Sequence, residues 1–119
     1  MKIAVTAQGP TPESAVDARF GRAYWILFFD EESSRWDAFN NSEGRNALQG
    51  AGIKAAQQVA DQKAGVLLTG ITGPKAFKAL AAAGVKVFHG AAGTAQEAIL
   101  AYKKGRLNEG TLDGAQGRP

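Results

Sequence analysis

Two arginines, Arg19 and Arg22, flank a Phe20-Gly21 pair just ahead of an apolar run that starts at Tyr24. A guanidinium is charged at any working pH and offers its donors as a planar fork, so two of them on one glycine-jointed bend suit an anion. Gly21 permits the bend, and Phe20 reads as core packing. Arg45 lies in a polar segment, Lys75 follows Pro74 in the first turn of a helix, and the single histidine, His89, ends another apolar run. A cation in a first turn opposes the helix macrodipole, which points to a recruited anion near Lys75. The segments Gly70-Ile71-Thr72-Gly73 and His89-Gly90-Ala91-Ala92-Gly93 could present backbone N–H groups to such a ligand. The same glycines also suit plain turns, and any one arginine also suits a solvated surface.

Other chemistries lack their residues. The chain has no cysteine, which excludes disulfides and thiolate ligation of a metal or cluster. It has no Ser-His-Asp pattern, no phosphate-binding Walker loop and no metal spacing of histidines. The first strand carries no carboxylates of the kind that would hold catalytic metal ions. A non-enzymatic binding role is expected. His89 could ligate a metal through one imidazole nitrogen, but one ligand makes no stable site. Net charge is +3, spread without runs, which suits a small anion better than a nucleic-acid duplex. No apolar run approaches the roughly 18 residues that span a bilayer, and the N-terminus enters a strand with no signal peptide before it. A cytoplasmic protein without membrane contact is expected. A monomer is expected too, because no heptad pattern is present and the hairpin edge carries Arg35 and Asp37.

These residues need elements to hold them. A length of 119 residues with 45% hydrophobic content makes one domain. Strands are expected over Ile3–Ala7, Tyr24–Phe29, Arg35–Asn40, Val66–Thr69 and Val85–Phe88, the second and third forming a hairpin. Helical spacing covers Ile53 to Lys63, a helix starts at Pro74, and Thr94-Ala95-Gln96-Glu97 has the form of a capping box opening another. The order β-β-β-α-β-α-β-α, with right-handed crossovers, implies an α/β fold. Its mixed five-stranded sheet runs 3-2-1-4-5, with strand 2 antiparallel and helices on both faces. Residues 1–105 form the domain, and 106–119, glycine-rich and poor in apolar side chains, are expected to be a flexible tail. In such a sheet ligands settle beyond the carboxyl ends of the parallel strands, where strand order reverses. That places the loops bearing Arg19 to Arg22, Arg45, Thr72 to Lys75 and His89 to Gly93 on one rim.

The segment Val16 to Trp25, Asn40, "GAGI" at Gly50 to Ile53, "TGITGPKAF" at Thr69 to Phe77 and "GTAQEAI" at Gly93 to Ile99 resemble the dinitrogenase iron–molybdenum cofactor-binding domain family. The resemblance spans roughly Met1 to Leu107 in order. It implies a ribonuclease H-like three-layer α/β/α fold and the carriage or assembly of an anionic molybdenum-containing metal–sulfur cluster. That cluster would be of the iron–molybdenum–sulfur or the molybdenum–copper sulfide type, and proteins that donate or accept it would be partners. Several carriers of the family have histidine before Phe-Gly where this chain has Arg19, which favours holding by charge over ligation. Two other functions fit the same rim: a regulatory module for a phosphorylated small molecule, or an interaction partner with no ligand of its own.

Overall fold

The structure, a computed structural model, describes residues 1–115. β1 (Lys2–Ala7), β2 (Trp25–Asp30) and β3 (Arg35–Asn40) form an antiparallel meander, with Val5 opposite Leu27 and Leu27 opposite Ala38. A single turn, α1 (Ser42–Arg45), precedes α2 (Ala51–Asp61). The chain then alternates through β4 (Val66–Leu68), α3 (Pro74–Ala82), β5 (Lys86–His89) and α4 (Ala95–Lys103). β4 pairs parallel with β1 and with β5, as crossovers through helices require.

Period-two alternation divides the core between the two faces of the sheet. Ala4, Ile26, Phe28, Leu67 and Val87 pack on one side with Val59 of α2 and Leu80 of α3. Ile3, Val5, Leu27 and Leu68 pack on the other with Ala95, Ala98 and Ile99 of α4. The result is a three-layer mixed α/β fold. No helix among the described residues is long and apolar enough to cross a membrane.

The expected five strands lie in the expected order, but the sheet has six: β3-β2-β1-β4-β5-β6. β6 (Asn108–Glu109) runs antiparallel to β5 and is followed by one turn of helix, α5 (Leu112–Ala115). Both fall within the segment expected to be a tail. Two-residue strands have no readable periodicity, and this one is fixed by backbone bonds and by distant anchors. Gly110 N–H donates to Val87 O at 2.7 Å, Leu107 packs on the α4-side core, and Ala115 is buried. The rest of the expected tail, 116–119, lies outside the described residues.

Candidate functional site

The Phe20-Gly21 bend is built by buried polar groups. Thr6 Oγ1, from β1, donates to Asp17 O at 2.7 Å and shares a 2.7 Å bond with Thr69 Oγ1. The buried Asp17 carboxylate accepts from Arg19 N–H at 3.1 Å and Tyr24 N–H at 3.3 Å, closing the loop upon itself. Asn41 Nδ2 donates to Ala23 O at 2.9 Å and Gly21 O at 3.3 Å. The loop also pairs with the one after β4: Phe20 N–H donates to Ile71 O and Ile71 N–H to Ala18 O. Phe20 is 1% exposed in the core beneath α2 and α3, as its type suggested.

Gly21 is there for closeness. A Cβ on it would stand 2.6 Å from Gly52 N and 2.8 Å from Gly52 Cα, so the bend presses directly on the start of α2. Gly70 repeats the device against Ala18, whose backbone an added Cβ would strike.

Between the bend and the N-termini of α2 and α3 runs an open groove of about 550 Å³. Of the residues singled out from the sequence, Arg19, Phe20, Gly21, Arg22, Thr72, Gly73 and Lys75 line it. Gly50 to Ile53 line it as well. The first N–H groups of each helix have no partner within the helix, and the partial positive charge of both termini faces this space. Gly50 (φ 74°) and Gly73 (φ 82°) precede the two helices in conformations that favour glycine. Arg19 is 64% exposed, its Nε 3.9 Å from Asp17 Oδ1, and its charge is available to a ligand.

Arg22 is committed differently. Its Nη1 donates to Arg45 O at 2.7 Å and Ala47 O at 2.6 Å, tying the loop between α1 and α2 to the bend. Arg45 stands outside the groove, its guanidinium 3.8 Å over the Tyr24 ring. His89, Gly90 and Gly93 do not line it either. Gly90 N–H bonds Gly70 O, and Gly93 O accepts from Val16 N–H beside the α4 cap. His89 Nε2 lies 3.1 Å from Thr72 Oγ1, and burial pushes the imidazole pKa below its usual value. Among the described residues no group of three His, Cys, Asp or Glu side chains could hold a metal ion. A second groove, of about 540 Å³, lies where β3 meets α2, but its Glu43, Lys54, Gln57 and Asp61 mix charges that favour no one ligand.

Sequence reasoning passed over Asp17 and Asn41, which build the site, and the start of α2, which forms one wall. A carboxylate just before two arginines was the available signal for Asp17. The "GAGI" segment was the signal for the wall.

No curated protein sequence matches the chain. The apo form of the orange protein from Desulfovibrio gigas is 41% identical, with 92% of each chain covered and a TM-score of 0.89. A structure described as a NifB protein of the DUF35 family, from Thermotoga, is 35% identical over 91% of each chain, with a TM-score of 0.80. A Methanocaldococcus jannaschii protein described as a dinitrogenase shares the fold at 10% identity (TM-score 0.66, 93% of this chain and 95% of that one). The model of the family described as dinitrogenase iron-molybdenum cofactor matches residues 1–105, and the chain belongs to that family.

Proposed function

We propose that the groove between the Phe20-Gly21 bend and the starts of α2 and α3 binds an anionic molybdenum-containing metal–sulfur cluster as cargo, for carriage or assembly rather than turnover. One observation carries this: in a member of this family, two helix N-termini, Arg19 and Lys75 converge on a single open groove. Its volume of about 550 Å³ falls within the roughly 300–1,000 Å³ usual for small-ligand sites. With no thiolate available, the cargo is held by charge and by N–H and hydroxyl donors. Thr72 is the hydroxyl at the groove, and Gly73 and Gly52 let the backbone come close. His89, Gly90, Gly93 and Arg45 shape the surroundings.

We take the cluster to be of the molybdenum–copper sulfide or the iron–molybdenum–sulfur type. The order of β1 to β5, with β2 antiparallel, supports a ribonuclease H-like class with β6 added at one edge. We take the protein to be cytoplasmic and monomeric, meeting donor and acceptor proteins of the cluster in transit.

The test joins elemental analysis of anaerobically purified protein with titration of tetrathiomolybdate into the apo chain. Stoichiometric uptake that weakens with salt, and weakens further in Arg19→Ala and Lys75→Ala, supports the proposal. Helix N-termini also suit phosphate, so a phosphorylated metabolite is the second candidate. Tighter binding of phosphate esters than of the thiometallate would decide for it.

A further inference from the structure

Residues 106–115 lie beyond the family match, which ends at 105. They nevertheless pack against β5 and α3, beside His89. β6 pairs with the end of β5, Phe88 opposite Glu109 and His89 opposite Asn108. α5 then settles against α3, with Ala115 1% exposed. Between the two the backbone crosses the face of the His89 ring. A Cβ on Gly110 would lie 2.7 Å from His89 Nδ1 and 2.8 Å from Cε1, and one on Gly114 would lie 3.5 Å from Nδ1. Phe77 flanks the ring as well, centroids 5.8 Å apart. The imidazole therefore has Gly110 over the Nδ1 side of its face and Thr72 Oγ1 3.1 Å from Nε2. Thr72 in turn lines the groove.

We infer that segment 106–115 is a clamp that sets the Thr72 hydroxyl for anion binding through His89, a positioning residue that does not itself touch the cargo. The inference rests on the groove being the anion site. A neutral imidazole has one N–H and one lone pair. With the hydrogen on Nε2, the ring donates to Oγ1 and the hydroxyl hydrogen is free to be given to an anion. With the hydrogen on Nδ1, the hydroxyl must donate to Nε2 and turns only lone pairs to the groove. The clamp acts through the first arrangement. Burial favours the neutral ring, so the choice lies between these two arrangements. Gly110 follows from the same need, since a Cβ there would come within 2.7 Å of the ring and push it from its place beside Thr72.

The test uses the full chain, tetrathiomolybdate as probe and histidine ¹⁵N resonances. The expected wild-type signature is the Nε2–H tautomer. Gly110→Val and His89→Phe should each weaken uptake about three- to tenfold, the loss of one hydroxyl bond in a half-open site. Neither should weaken it further in a Thr72→Val background. If Gly110→Val does not fold, His89→Phe, which keeps a ring in the slot, carries the test. An Nδ1–H tautomer, or losses that add to that of Thr72→Val, overturns the clamp. Failure of wild type to take up the anion overturns the groove assignment instead.

Discussion

Arg19 and Arg22 look equivalent in the sequence, yet the structure separates them. Arg22→Ala removes two hydrogen bonds from Nη1, at 2.7 Å and 2.6 Å, and leaves Arg45 O and Ala47 O without that partner. A charge-assisted bond is worth about 1.5–3 kcal/mol when desolvated. Here both bonds share one nitrogen and the side chain is part-exposed, so the pair together is worth about 1–3 kcal/mol. For a chain of this length each kcal/mol moves the melting temperature by roughly 4 °C, so the expected fall is roughly 4–12 °C. Arg19→Ala breaks only a 3.9 Å contact of a side chain 64% exposed. It should cost less than about 0.5 kcal/mol. Thermal melts of both variants by circular dichroism, with urea titrations for free energies, make the comparison. Tetrathiomolybdate affinity should show the reverse emphasis, Arg19→Ala losing binding while keeping stability. Equal melting temperatures for the two variants would refute the assignment of Arg22 to the loop and return it to the groove as a free charge.

Gly21→Ala should destabilise by about 1–3 kcal/mol, because the three atoms nearest the new Cβ belong to the backbone of Ala51 and Gly52; an unchanged urea midpoint would count against that packing. Stability should fall as pH drops through the His89 titration: its folded pKa is depressed by burial, so the unfolded chain takes up the proton first. The contribution is full above about pH 6.5 and is lost below the folded value, and His89→Phe should flatten that part of the profile. Thr94→Ala removes the acceptor for Glu97 N–H at 3.1 Å and leaves half of a capping box, for a loss of about 1 kcal/mol measured by denaturation. Light scattering at micromolar concentration should give a monomer, since Arg35 and Asp37 are exposed along the edge strand β3.

Local signals carried most of the fold. Apolar runs marked β1, β2 and β4, Pro74 marked the start of α3, and the Thr94–Glu97 box is present with both reciprocal bonds. What escaped depends on partners far along the chain. Asn41 fixes Ala23 across 18 positions and Arg22 reaches Ala47 across 25, distances at which no periodicity operates. β6 was invisible for the same reason, being held by β5 and, through the following α5, by α3 rather than by its own composition. The rim was legible from strand order alone. Which of its loops share a groove was not: the loop after β5 lies on that rim, but His89 turns to Thr72 and Gly93 joins the α4 cap.

The charge held by the groove bears on what it can retain. A helix N-terminus contributes about 0.3–1 kcal/mol toward one negative charge at an exposed surface, and an exposed cation about 0.2–1 kcal/mol. Two termini with Arg19 and Lys75 therefore total roughly 1–4 kcal/mol for a single charge, which is millimolar binding at best. These contributions grow with ligand charge only if that charge reaches all four groups. A phosphate ester concentrates its charge at one end and meets one terminus fully, leaving the other side of an open groove to water. A compact polyanion with sulfur or oxygen on every face meets both termini and both cations together, which brings micromolar binding, about 8 kcal/mol, within reach. Such a hold has no metal–thiolate bond to break, so release needs only that a partner's site outcompete a set of hydrogen bonds and charges. On the proposed reading, the absence of cysteine suits the chain to release such a ligand.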